Sequence, residues 1–192
     1  MRLNKLQQPI NSGFNAQSTA QEVIRGIDHS GKTANITGGY AGIGLETTKI
    51  LALAGATVIV PARSLEKAKT NLSGIPNVEL QELDLMNPES IENFTEKFVA
   101  SERKLDFLIN NAGIMWVPLQ RDGRGYESQL VTNYLSQFHL TAKLFPALKR
   151  ADSARVIMVS SYGHQMSPFN FEDPNFENRE YQTLAGYGQS KT

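Results

Sequence analysis

Thr33-Ala34-Asn35-Ile36-Thr37-Gly38-Gly39-Tyr40-Ala41-Gly42-Ile43-Gly44 reads as a short strand running into a glycine turn. Ile43, Thr47, Ile50, Leu51 and Ala54 then recur at helical spacing, so a helix follows the turn. A strand, a glycine turn and a helix in that order form a cradle for phosphate. Gly38 permits the sharp turn, Gly42 removes a side chain where backbone must approach a pyrophosphate, and Gly44 lets the helix lie close to the sheet. The first turn of the helix offers unpaired N–H groups and the positive end of its dipole to the anion. The spacing is GxxxGxG rather than the commoner GxGxxG, and a glycine turn without a ligand is the plain alternative. The strand before it and the helix after it weigh against that alternative.

The same alternation continues outward. Towards the N-terminus, residues 1–30 read as an arm, aperiodic to residue 17, with a short helix started by Ser18 or Thr19 at capping-box spacing from Gln21 or Glu22. Residues 31–192 read as one domain. Thr57-Val58-Ile59-Val60 is a second strand, β-branched as expected when both faces are covered. Ser64 caps a helix to about Leu72, and Val78 to Leu83 is a third strand. Pro88 opens a helix to about Ser101, and Leu105 to Ile109 is a fourth strand. A long helix spans roughly Gly125 to Lys149, and Ala154 to Ser160 is a fifth strand. An irregular stretch rich in Asn, Asp, Phe and Pro then runs to about Arg179. This β-α alternation predicts an α/β fold with a doubly wound parallel sheet of the Rossmann kind, three layers deep (α/β/α). Right-handed crossovers put the cradle at the carboxyl ends of the strands, at the switch point.

Composition narrows the function classes. The 192 residues carry zero net charge, and Lys and Arg form no basic cluster, so nucleic acid is not an implied partner. There is no Cys, which excludes disulfides and thiolate chemistry. No apolar run reaches the length of a membrane span, and Met1 to Phe14 lacks the apolar core of a secretory signal. The expected location is therefore the cytoplasm. His29, His139 and His164 show no metal-ligand spacing, so no metal is expected.

The end of the second strand bears on the nucleotide. An acidic residue there binds a ribose 2′-OH, whereas an Arg accommodates a 2′-phosphate. The strand ends Val60-Pro61-Ala62-Arg63-Ser64, and the first acid, Glu66, is already in the helix. A guanidinium pairs with phosphate in a bidentate way where a carboxylate would repel it. Arg63 therefore favours NADP(H) over NAD(H).

Further motifs follow in order. Asn110-Asn111-Ala112-Gly113 succeeds strand four, Asn133 lies in the long helix, and Ser160-Ser161 ends strand five. Tyr187-Gly188-Gln189-Ser190-Lys191 is a Tyr-x-x-x-Lys. With Thr37 to Gly44, this set resembles the short-chain dehydrogenase/reductase family over about residues 30–192. Arg63, the Ser160-Ser161-Tyr162-Gly163-His164 run and the 26 positions from Ser161 to Tyr187 resemble its retinol-dehydrogenase-like branch, which includes WW-domain oxidoreductases.

The resemblance implies an oxidoreductase that moves a hydride between a nicotinamide and a small-molecule carbonyl or alcohol. A proton must then move at the oxygen. A tyrosine's ordinary pKa of about 10 is too high for a base at neutral pH, and a Lys four positions along a helix stands on the same face to stabilise the phenolate. By resemblance, Tyr187 is the acid/base, Lys191 assists it and holds the nicotinamide ribose, Ser161 binds the substrate oxygen and Asn133 supports a water in the proton relay. Thr37, Gly38, Tyr40, Gly42, Ile43 and Gly44 would hold the cofactor with Arg63, and Asp84 and Leu85 would meet its adenine ring. Asn111, Ala112 and Gly113 would lie along it, while Asn110 ties strand four in place. A loop over Phe169 to Glu180 would stand near the substrate mouth. Homo-oligomers are usual for the family.

The family pattern continues beyond Tyr-x-x-x-Lys with the rest of that helix, two more strands and a lid. The sequence ends at Thr192, so the expectation is a C-terminally truncated chain with one turn of the final helix and an uncovered fifth strand. The alternatives to an enzyme are a non-catalytic NADP-binding remnant and a fragment that needs a second chain.

Overall fold

The computed structural model describes residues 11–192; residues 1–10 of the expected irregular arm lie outside the described residues. Of the two candidate caps, Thr19 starts α1 (Ala20–Ile24). Its hydroxyl accepts from the Glu22 N–H, and the Glu22 carboxylate accepts from the Thr19 N–H at 2.7 Å.

The domain proper alternates strand and helix: β1 (Thr33–Ile36), α2 (Gly42–Leu53), β2 (Thr57–Ala62), α3 (Leu65–Asn71), β3 (Val78–Glu82), α4 (Pro88–Ala100) and β4 (Phe107–Asn110). The helical run α5 (Ser128–Leu130) and α6 (Ser136–Lys149) follows, then β5 (Arg155–Met158) and α7 (Thr183–Lys191). The starts obey local chemistry. The Ser64 hydroxyl caps α3 through the Lys67 N–H, and Asn87 caps α4 with Pro88 in the first turn, where a missing N–H costs nothing.

All five strands are parallel, in the order β3-β2-β1-β4-β5. The chain winds outward one way from β1 and then returns to wind the other way from β4. The carboxyl ends of β1 and β4 therefore diverge into a crevice. Alternate residues of β2 feed two cores. Val58 and Val60 pack with Ala52 of α2 and Ala68 of α3 on one face. Ile59 packs with Phe94 and Phe98 of α4 and Leu140 and Leu144 of α6 on the other. This is the expected three-layer doubly wound fold.

Three details depart from the sequence reading. The long helix begins at Ser128 rather than near Gly125. Residues 121–127 fold into a tight turn in which the Asp122 carboxylate accepts from the Arg124 and Tyr126 N–H groups, and Gly125 takes φ +91°. Between α5 and α6 the helix widens into a π turn over Val131–Leu135. The last helix is more than one turn: α7 spans nine residues and opens four positions before Tyr187. Its N-terminal end is held by a tertiary bond from Gln129 to the Thr183 carbonyl, which local sequence does not reveal.

β5 pairs with β4 alone, and Val156, Ile157 and Met158 are 40–47 % exposed, as expected of an edge strand with uncovered faces. At the other end of the β1–β4 pair, the buried Asp106 carboxylate accepts from the Lys32 ammonium and the Thr33 N–H, each at 2.9 Å. Burial alone would raise its pKa; these two donors outweigh burial and hold the carboxyl below the usual range. The depressed value means the stabilisation is present above the ordinary carboxylate pKa of about 3.9 and is lost as pH falls through the folded value. Asp106→Asn is expected to lower unfolding free energy by about 1–3 kcal/mol at pH 7. In urea titrations this deficit narrows only below about pH 4; a deficit that is the same at pH 3 and pH 7 contradicts the assignment.

Candidate active site

Thr37 locks the crevice together. Its N–H donates to the Ile109 carbonyl at 3.1 Å. Its hydroxyl oxygen accepts from the Asn111 and Ala112 N–H groups, both at 3.0 Å, and the Asn111 side-chain amide donates back to the Thr37 carbonyl at 3.0 Å. The ends of β1 and β4 are thus fixed to one another. Gly38 takes φ +66° to turn the chain away from the sheet. At Gly44 the issue is approach rather than φ: a Cβ there would collide with the Gly38 carbonyl oxygen and stand 2.5 Å from Asn111 Nδ2. The cap position of α2 is Ala41, which brings no side-chain oxygen, so the first-turn N–H groups remain available to an anion.

These elements border a cleft of about 560 Å³. The cradle contributes Thr37, Gly38, Tyr40, Gly42, Ile43 and Gly44. The end of β2 contributes Arg63, the turn after β3 Asp84 and Leu85, and the end of β4 Asn111, Ala112 and Gly113. Every cofactor-contact residue expected from the sequence lines this cleft, apart from Tyr187 and Lys191, of which Lys191 lies beside the cleft-lining Gly113. Asp84 is held in place: its N–H donates to the Ser90 hydroxyl and its carboxylate accepts from the Met86 N–H, both at 2.9 Å. Val117 and Thr132 also line the cleft. They sit in segments that carry no motif, and only the fold brings them there.

At the cleft's inner end, the π turn rotates Asn133 out of the ordinary helical register. Its side chain pairs with the backbone of Ile114, accepting from the N–H at 2.8 Å and donating to the carbonyl at 3.0 Å, and it donates to the Ser190 hydroxyl at 2.8 Å. The Ser190 hydroxyl in turn donates to the Tyr187 carbonyl at 2.8 Å. The Ser161 hydroxyl accepts from the Gly163 N–H at 3.0 Å and caps the short 3₁₀ turn Tyr162–Gln165. Gly163 lies against the Tyr187 ring; a Cβ there would stand 2.5 Å from Tyr187 Cε1 and 3.3 Å from Ser161 Oγ. Ser161 and Tyr187 therefore flank the same glycine. The Ser160 hydroxyl instead donates to the Lys191 carbonyl at 3.3 Å.

The Lys191 ammonium donates to the Val159 carbonyl at 3.0 Å and lies beside Gly113, whose Cβ, were there one, would be 3.5 Å from Nζ. Burial pushes its pKa below the usual lysine range. Asn110 donates to the Thr141 hydroxyl and to Met158 Sδ, joining β4 to α6 and β5. His139 pairs with Glu92, and His164 Nδ1 meets the Ser161 carbonyl. Among the described residues no group of three metal-binding side chains gathers, and no helix is long and apolar enough to cross a membrane.

Sequence reading passed over a second polar cluster. Glu127, fully buried, caps α5: its carboxylate accepts from the Gln129 and Leu130 N–H groups, both at 2.8 Å. It also accepts from the Tyr181 hydroxyl at 3.0 Å. Burial, then the Glu127 charge, push the Tyr181 phenol up to about 12, so it remains a neutral donor. An acid just ahead of a helix was the one available signal.

Comparison with known proteins agrees with this geometry. The family model described as short chain dehydrogenase matches residues 32–172, and the chain belongs to that family. It is 41% identical over 172 residues to a Streptomyces lividans protein named "Probable oxidoreductase", covering 86% of this chain and 57% of that one. To retinol dehydrogenase 13 of Mus musculus it is 38% identical, covering 84% of this chain and 50% of that protein. The resemblance to the retinol-dehydrogenase side of the family is thus met. Among solved structures, a Mycobacterium paratuberculosis protein superposes with a TM-score of 0.79 at 38% identity over 86% of this chain and 59% of its own. The Pseudomonas aeruginosa RhlG/NADP active-site complex gives 0.67 at 28%, over 85% and 63%. The chain thus spans between about half and two thirds of the length of these relatives.

Two glycines separate close approach from backbone freedom. Gly42 has φ +52° but open space where a Cβ would go, so Gly42→Ala is expected to cost about 1 kcal/mol of stability. Gly44→Ala must push α2 off the turn and off Asn111, which is expected to cost about 1–3 kcal/mol or more. Urea unfolding of the two variants should rank them in that order; the reverse order contradicts the close-approach role of Gly44.

Proposed function

We propose that this chain carries the nucleotide-binding and proton-transfer parts of an NADP(H)-dependent oxidoreductase acting on a carbonyl or alcohol. One observation carries the reading. α7 brings the Tyr187 ring against Gly163, which Ser161 also flanks, and the Lys191 ammonium beside Gly113, which lines a cleft that begins in the glycine cradle. The cradle fits a pyrophosphate: its helix start lacks a capping side chain, and Gly44 leaves no side chain in the way. Asp84 and Leu85 would hold the adenine end, and Arg63, exposed at the cleft's rim, would pair with a 2′-phosphate. The NADP complex of the similar Pseudomonas aeruginosa RhlG supports the choice of nucleotide.

When bound, the nicotinamide supplies or receives the hydride. The chain's own residues manage the oxygen. Ser161 orients it by hydrogen bonding, and Tyr187 gives or takes the proton at that atom. Lys191, stripped of part of its water by burial, would favour the phenolate through its charge and would hold the nicotinamide ribose. Asn133, tied to Ile114 and Ser190, fixes the backbone on which a relay water would rest. The seating of Tyr187 and Lys191 on a nine-residue helix favours this reading over a non-catalytic remnant.

Thermal unfolding with saturating nucleotide tests the cofactor assignment. A ligand bound at about 100 times its Kd stabilises by about 2.7 kcal/mol. NADPH is expected to raise the midpoint more than NADH at equal concentration, and Arg63→Ser to erase the difference; an equal or larger shift with NADH overturns the assignment. Tyr187→Phe is expected to keep the NADPH shift and lose carbonyl reduction by at least about a hundredfold; retained turnover removes Tyr187 from the chemistry.

A further inference from the structure

Tyr187 follows Ser161 by 26 positions, and the loop between them must be pinned if the two side chains are to meet reproducibly. Each flexible residue in such a loop adds conformational freedom to the helix it leads into. The structure pins the loop to α7 at two points, joined by the Phe176 ring, which meets the Tyr181 ring edge-on at 5.0 Å. At one, Arg179 donates to the Gln189 side-chain carbonyl at 2.8 Å, stacks 3.7 Å over the Phe176 ring and pairs with Asp173. The Gln189 amide donates to the Pro174 carbonyl at 2.7 Å. The other is the cluster around Tyr181, which nothing in the proposed chemistry uses.

Tyr181 is a junction of three elements. Its O–H donates to the buried Glu127 carboxylate at 3.0 Å, and its oxygen accepts from Gln129 Nε2 at 2.8 Å. The second hydrogen of that same amide goes to the Thr183 carbonyl at 3.0 Å, in the first turn of α7. Glu127 in turn is fixed by three further donors from α5, so the cap of α5 is the rigid end of the chain of bonds. The contact then passes to the helix carrying the reactive phenol. A Cβ on Gly186, the residue before Tyr187, would stand 2.9 Å from Gln129 Nε2 and 3.1 Å from both the Tyr181 oxygen and Cε2. The helix therefore rests directly on the Tyr181 ring and the Gln129 amide, one residue from Tyr187.

We infer that Tyr181, held by Glu127 and Gln129, is a positioning residue that sets where α7 presents Tyr187 to Ser161. It does not line the cleft, which it meets through the Val117 carbonyl at 3.3 Å, and it acts through the helix. The kinetic part of this inference rests on the oxidoreductase reading above; the geometric part does not. Removing the Tyr181 hydroxyl leaves the ring to fill its space but frees the Gln129 amide to follow Thr183. The start of α7 then keeps its bond to Gln129 but loses the hydroxyl that holds that amide against Glu127.

The test uses the chain uniformly labelled with 3-fluorotyrosine. Its six tyrosines give six ¹⁹F resonances, and Tyr187→Phe identifies that of Tyr187. Tyr181→Phe is expected to shift and broaden the Tyr187 resonance. It is also expected to lower kcat for carbonyl reduction about tenfold to a hundredfold, since displacements near 1 Å cost about that much. NADPH affinity should change less than kcat does, because the glycine cradle and Arg63 lie outside the Tyr181 seat. Gln129→Leu, which breaks the seat from the other side, should reproduce both effects. Asp106→Asn, destabilising but distant from α7, should reproduce neither. An unchanged Tyr187 resonance in both Tyr181→Phe and Gln129→Leu overturns the inference, as does an equal effect from Asp106→Asn. If the unaltered chain turns over no carbonyl, the oxidoreductase reading fails and the resonance alone decides the seat.

Discussion

The hydroxyl of Thr37 is the point on which the site depends. A doubly wound sheet opens where its winding reverses, between β1 and β4, and past the end of β1 the ladder runs one step further, from the Thr37 N–H to the Ile109 carbonyl. Thr37 closes that gap by accepting from two successive backbone N–H groups beyond β4, while Asn111 returns a bond to the Thr37 carbonyl. Gln137, buried in α6, stands within 3.3 Å of the same hydroxyl and donates to the Ala112 carbonyl at 3.1 Å. The glycine turn thus starts from a fixed floor, and α2 can approach it closely. A phosphate site built of backbone N–H groups needs such rigidity, because those donors have no rotamers with which to adapt.

The end of the site around Tyr187 and Ser161 is assembled differently. Its groups come from the π turn, the end of β5 and α7, and no strand pairing joins them. Small residues let α7 settle among them: Gly163 under the Tyr187 ring, Gly186 on Gln129 and Tyr181, and Gly188 where a Cβ would stand 2.8 Å from the Ser167 N–H nitrogen. Buried side-chain bonds do the rest, through Asn133 with Ser190 and through Gln189 with Arg179. The glycine cradle is a property of the sheet. The cluster around Tyr187 is a property of packing between loops and one helix.

Not all of the buried polarity serves this end. Asn35 in β1 is fully buried, and both polar atoms of its side chain lack a partner among the described residues. β5 stays exposed on its faces, with Val156, Ile157 and Met158 open to solvent. These two features cost stability, the first through desolvation of an amide and the second through apolar surface left in water.

By itself the sequence determined the order of elements and the cleft. Strand pattern, helix starts such as Ser64 and Pro88, and the spacing of Gly38, Gly42 and Gly44 are local signals, and a parallel sheet with right-handed crossovers leaves one place for the cradle. That is why Arg63, Asp84 and Gly113, far apart in the chain, could be assigned to one cleft. The π turn at Asn133, the start of α7 and the seat made by Glu127, Gln129 and Tyr181 emerge only in the folded chain. These depend on bonds such as Gln129 to Thr183, 54 residues apart, whose partners carry no periodicity and no motif. A local pattern records what a segment prefers alone; where α7 begins is set by what it rests against.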